Sequence, residues 1–128
     1  MNNSPIGRKK WAIPEGYIPT YSHTTGRDLT SHDALCILNA SGEEAHIEIT
    51  IFFSDRDPLG PYRVTVPPRR TKHVRFNDFE DPEIIPKGVD YSSLIKSNIE
   101  VVVQYTRLDS RQAENALMTT IAFACDNY

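Results

Sequence analysis

The chain has 128 residues, 39% hydrophobic and 24% charged, with 14 basic against 17 acidic residues and a net charge of −3. That is one domain's worth of ordinary soluble globular composition, long enough for a single core without staples. The acidic balance argues against a protein that lives on nonspecific nucleic-acid binding, which is usually basic. No apolar run approaches the roughly 20 residues of a membrane helix. The opening MNNSPIGRKKWAIP lacks a long apolar core of the secretory kind. The expectation is therefore one cytoplasmic domain over residues 1–128, with flexible ends at 1–5 and about 126–128.

In chain order, Trp11, Ala12 and Ile13 read as an edge strand stopped by Pro14. The stretch from Pro14 to Thr30 has no lasting period and many turn formers, which predicts a long ordered loop anchored by Tyr17, Ile18 and Tyr21. His32 to Ala40 predicts a central strand, with Leu35 and Ile37 on one face and Ala34, Cys36 and Leu38 on the other. Ser41-Gly42-Glu43-Glu44 reads as a hairpin turn into the clearest strand of the chain. There Ala45, Ile47, Ile49, Ile51 and Phe53 alternate with His46, Glu48, Thr50 and Phe52.

Leu59 to Asn77 predicts two short strands joined at Pro67-Pro68. Tyr62, Val64 and Val66 oppose Arg63 and Thr65 in the first; Lys72, Val74 and Phe76 oppose Thr71, His73 and Arg75 in the second. Arg63, Arg69, Arg70, Lys72 and Arg75 charge this stretch positively, and no acid stands between Asp57 and Asp78. The acids then arrive together as Asp78, Glu80, Asp81 and Glu83. YSSLIKSN is read as one helical turn around Leu94 and Ile95. Ile99 to Thr106 is a strong strand, and Ala116 to Cys125 a last apolar strand for which helix competes near Gln112 to Met118. Seven or so strands with Pro/Gly-rich loops and little helix predict an all-β protein, an antiparallel β-sandwich of jelly-roll-like kind.

Catalytic signatures are missing. There is no GxSxG elbow, HExxH or glycine-rich P-loop. Asp55, Asp57, Asp78 and Asp81 sit in turn sequences, where aspartate bonds the backbone. His46 and Glu48 share a strand face but lack a third ligand, so no metal or cofactor is expected. Cys36 and Cys125 read as buried reduced thiols in apolar runs. Trp11, Tyr62 and Tyr105 could stack on a sugar, but each has apolar strand neighbours that suit a packed core better.

The remaining chemistry is a basic and polar strip. His73 and Arg75 share one strand face, and Gln104 and Thr106 share another. Arg107 and Arg111, around Asp109, carry the strip into a loop. Arginine forks suit carboxylate or phosphate partners. The candidate partner- or ligand-binding residues are thus Arg63, His73, Arg75, Gln104, Arg107 and Arg111. The alternative is that Arg75, Arg107 and Arg111 pair with Asp109, Glu114 or the acids after Asn77 and hold loops or subunits together.

The segments WAIPEGYIP, CILNA, HIEITIFFSD, GPYRVTVPPRRTKHVRFND, VVVQYTRLDSRQAENAL and TTIAFA cover nearly all of the chain. On these residues it resembles the sensory rhodopsin transducer family. The resemblance implies an antiparallel β-sandwich assembled as a homotetramer. It also implies a non-enzymatic cytoplasmic transducer that meets the inner face of the membrane transiently, on the cytoplasmic surface of a microbial sensory rhodopsin. A sugar-like ligand and DNA contact have also been considered for the family. The competing expectation is therefore a sugar- or anion-binding module with a regulatory DNA contact.

Overall fold

A computed structural model of the chain describes residues 4–23, 26 and 29–125. Parts of the expected flexible ends, 1–3 and 126–128, and residues 24–25 and 27–28 of the long loop lie outside the described residues. The fold is all-β and antiparallel. Its strands are β1 (Arg8–Tyr17), β2 (His32–Asn39), β3 (Ala45–Phe53), β4 (Leu59–Val66), β5 (Arg70–Arg75), β6 (Asp90–Asp109), β7 (Ala116–Ile121) and β8 (Phe123–Cys125). One 3₁₀ turn, Phe76–Asp78, follows β5.

The 20-residue β6 runs through both halves of the structure. Its first half, Tyr91 to Ser97, lies between β3 and β1 in a sheet ordered β4-β3-β6-β1-β8. Its second half, Val102 to Leu108, lies between β2 and β7, with β5 outside β2. No helical turn forms at Leu94 and Ile95. Tyr91, Ser93, Ile95 and Ser97 all turn inward in two-residue alternation, and bonds to β1 and β3 on either side hold the stretch extended. Where β6 passes from one sheet to the other, the Trp11 indole Nε1–H lies 3.0 Å from both the Val101 and Arg8 carbonyls. Gly7 lies against the Val101 carbonyl at φ 102°, where a Cβ would stand 2.0 Å from the oxygen.

The core fills with the residues that alternation points inward. Leu35 and Ile37, the Ala45 to Ile51 row, Tyr62, Val64, Val66, Val101, Val103 and Tyr105 are all buried. Trp11, Tyr62 and Tyr105 belong to this core rather than to an exposed aromatic platform.

Several expectations are corrected. β1 is an interior strand between β6 and β8, and it continues through Pro14 by a register shift between Ile13 and Gly16. Of the loop anchors, Ile18 is buried and Tyr17 half-buried, but Tyr21 is exposed. The Ser41 turn closes no hairpin: β2 pairs β5 and β6, whereas β3 pairs β4 and β6. Buried Asn39 makes the difference. Its Nδ2 donates to the Glu43, Val66 and Pro67 carbonyls at 2.8, 3.1 and 3.1 Å, and its Oδ1 accepts from Ser41 N and Oγ at 3.0 and 2.8 Å. These bonds hold the β2–β3 and β4–β5 connections together as neighbouring crossovers between the sheets. Arg69, with φ 55°, donates its N–H to the Ser41 carbonyl at 3.0 Å across them. The last apolar run is likewise two strands. It breaks at Ala122, which bonds back to the Val103 carbonyl at 3.0 Å.

Candidate functional site

The outer face of the second sheet gathers part of the expected strip. Across it one rung reads His73, Cys36, Gln104, Ile121, and the next Arg75, Ala34, Thr106, Thr119. The β5 and β6 residues are therefore not neighbours; β2 stands between them and inserts Cys36. Gln104 Nε2 donates to Thr119 Oγ1 at 2.8 Å, and the Thr106 and Thr119 hydroxyls meet at 3.1 Å. Cys36 Sγ lies 3.3 Å from His73 Nε2 and 3.6 Å from Thr71 Oγ1. An open groove of about 410 Å³ lies over this face, lined by His32, Cys36, His73, Arg75, Asp78, Gln104 and Thr106 among others. Both cysteines are half-buried free thiols rather than buried ones.

Arg107 leaves the strip. Alternation along β6 turns residues 104 and 106 outward and 105 and 107 the other way. Its Nε donates to Asp33 Oδ1 at 3.1 Å and its Nη2 to the Tyr105 hydroxyl at 2.9 Å; Nη1 lies 3.7 Å from Glu15 Oε2. The fully buried Asp33 carboxylate also accepts from the Tyr91 hydroxyl at 2.5 Å and the Tyr17 N–H at 2.8 Å. Burial would lower the Arg107 pKa, but the Asp33 charge and the Tyr105 hydroxyl carry it above the ordinary arginine value. Burial first, and the Asp33 charge second, push the Tyr91 and Tyr105 phenols up.

Arg111 grips Asp109 with two bonds, Nε to Oδ1 at 2.9 Å and Nη2 to Oδ2 at 2.6 Å. Those bonds hold the Asp109 carboxyl below its usual range. The Arg107 and Arg111 guanidinium carbons lie 5.9 and 5.7 Å from the Tyr17 ring centre. Arg63 stands on the other sheet, across the β3–β4 rung from Glu48, with its Nη2 3.2 Å from the carboxylate. The six expected residues thus occupy three places: His73, Arg75 and Gln104 on one outer face, Arg107 and Arg111 in ion pairs at the loop end, and Arg63 on the opposite sheet.

His46 Nε2 is 3.2 Å from Glu44 Oε1, and among the described residues no group of three metal-ligating side chains forms. Asp33 and Cys36 were missed by sequence reasoning. Asp33 carried a signal, because it shares the inward parity of Leu35 and Ile37 and so had to be a paired core acid. Cys36 belongs by parity to the face of Ala34 and Leu38, and only the strand order brings His73 to it.

The sequence matches the family model described as Anabaena sensory rhodopsin transducer over residues 6–124. The chain belongs to that family. A solved Anabaena sensory rhodopsin transducer is 56% identical; the match covers 80% of this chain and all of that one, with a TM-score of 0.72. A crystal structure of Thermotoga maritima 1070 is 37% identical, with 96% of this chain and 99% of that one covered and a TM-score of 0.83. No curated protein matches the chain. Among the described residues of this transducer-family protein, no helix is long and apolar enough to cross a membrane.

Proposed function

We propose that this protein transduces the state of a membrane photoreceptor by docking on the cytoplasmic surface of a sensory rhodopsin, as a non-enzymatic adaptor. Membership of the transducer family carries the reading. We assign the docking surface to the outer face of the second sheet, where His73, Arg75 and Gln104 lie along one open groove. Charged groups there steer the encounter and set its register. Transduction requires different affinities for the dark and illuminated receptor.

The test is titration of the purified protein onto rhodopsin in lipid vesicles, dark and illuminated. A state-dependent Kd is expected, weakened about tenfold by Arg75→Ala or His73→Ala, the effect of losing one polar contact. Arg63→Ala, on the other sheet, leaves it within about twofold. Equal affinity in both states overturns the mechanism, and a loss confined to Arg63→Ala overturns the assigned face.

The working form is proposed to be a homotetramer. Support comes from Phe123, 67% exposed on β8 in the first sheet, away from the assigned docking face. Light scattering at micromolar concentration is expected to give a multiple of the 14.5 kDa chain mass; a strictly monomeric mass refutes assembly. A second reading, a sugar or small anion, is favoured by one observation. A groove of about 490 Å³ on the first sheet brings Glu48, Arg63, Lys96 and Asn98 together. Calorimetric titration with a sugar and anion panel separates the two, because ligand heat lost in Arg63→Ala would place the site there. Regulatory DNA contact has the least support, given the net charge of −3.

A further inference from the structure

We infer that Cys36 is a thiol-modification site, activated by His73, that takes small disulfides into the groove on the second sheet as mixed disulfides. The inference stands on the geometry of the pair and does not require that the same face meets a receptor.

An ordinary cysteine is mostly protonated at neutral pH, and only its thiolate attacks. A neutral imidazole nitrogen within hydrogen-bond reach of the sulfur can take the thiol proton and hold the thiolate as an ion pair. Cys36 Sγ and His73 Nε2 are 3.3 Å apart, on facing residues of the β2–β5 ladder, so two backbones fix the contact. Thr71 Oγ1, which donates to the Ile37 carbonyl at 3.3 Å, also lies 3.6 Å from the sulfur. The sulfur opens into the groove, and Cys36 is half-buried, so an incoming disulfide has a path. The charged and titratable groups around it are His32 on β2, His73 and Arg75 on β5 and Asp78 in the turn; β6 supplies only neutral Gln104 and Thr106. Cys125 has no such surroundings in its pairing: it lies opposite Lys10 on the other sheet.

The step balances as a thiol–disulfide exchange. His73 Nε2 accepts the Sγ proton, and the thiolate attacks one sulfur of the disulfide. A new Sγ–S bond forms as the old S–S bond breaks, and the imidazolium gives its proton to the departing thiolate or, where that thiolate is weakly basic, to water. The reacting disulfide is the oxidant, and Cys36 is oxidised.

The probe is the aromatic disulfide DTNB, followed by thiolate release, with the full-length protein carrying Cys125→Ser so that one thiol remains. At pH 7 Cys36 is expected to react about tenfold faster than free glutathione, with mass spectrometry placing the adduct on the Cys36 peptide. His73→Gln, which keeps a polar side chain but cannot take the proton, is expected to remove that advantage. His73→Asn serves as a second variant, and circular dichroism confirms that each retains the strand signal. A rate at or below that of glutathione, or an unchanged rate in both folded His73 variants, overturns the inference.

Discussion

Asp33 and Arg107 face each other on one rung of the β2–β6 ladder, 74 residues apart in sequence, with Nε 3.1 Å from Oδ1. The Asp33 side chain is fully buried, and the Arg107 side chain is 15% exposed. A buried pair of this kind contributes little over a well-packed apolar pair, but removing one partner strands the other. Asp33→Ala is expected to cost about 3 kcal/mol, at the low end of the usual range because Arg107 can still turn toward Glu15 and water. Arg107→Met leaves Asp33 buried without its counter-charge and is expected to cost at least as much. The double variant Asp33→Ala/Arg107→Met is expected to lose less than the two single losses together, as urea unfolding of all four proteins will show.

Alkaline pH should act through the tyrosines around that pair. Tyr91 and Tyr105 titrate above their ordinary value because they are buried beside Asp33, and burial likewise raises Tyr62. In the unfolded chain they ionise near pH 10, so above that point the unfolded state sheds protons that the folded state keeps. Their contribution to stability is thus complete below about pH 10 and lost as pH rises toward the folded values. The urea midpoint is expected to be flat from pH 8 to about 9.5 and to fall steadily beyond. Tyr91→Phe should flatten that fall, while costing about 1.5–3 kcal/mol at neutral pH for the bond to a charged acceptor. An equally steep fall in the variant would remove Tyr91 from the explanation.

Ser93 offers a gain. Its hydroxyl is buried between Ile13 and Ile51 on the flanking strands and is the one buried side-chain polar atom without a partner among the described residues. A buried donor left unbonded costs about 1–3 kcal/mol. Ser93→Ala removes it and leaves a void smaller than a methyl group, so the urea midpoint should rise by the equivalent of about 1 kcal/mol. A lower midpoint would mean that the hydroxyl has a partner in solution.

Strand identity was legible wherever apolar and polar residues alternate cleanly, as from Ala45 to Phe53 and from Ile99 to Thr106. The first half of β6 was not, because serines stand at two of its inward positions, Ser93 and Ser97, and break the apolar signal. The crossovers were hidden for a different reason. Ser41-Gly42-Glu43-Glu44 has the composition of a hairpin turn, and what sends it to the other sheet is one amide, Asn39, bonding carbonyls 27 and 28 residues away. The family was legible from long continuous segments. The candidate site was legible only in part. His73 and Arg75 share a face as their parity implied, and the strand order adds Gln104 to it across β2, but Arg107 has the opposite parity to Gln104 on the same strand. Its partner Asp33 lies on a strand whose neighbour the sequence did not reveal.

The shared strand β6 limits how this molecule can respond to anything that binds it. Because β6 belongs to both sheets and is bonded on both sides in each, the sheets cannot slide past one another without breaking its ladders. Sheet-over-sheet shear is therefore closed to it as a way of relaying an event from one face to the other. A body built on one common beam keeps its two sheets in fixed relation, and its means of response lie in its position, its loops and the contacts it makes or gives up.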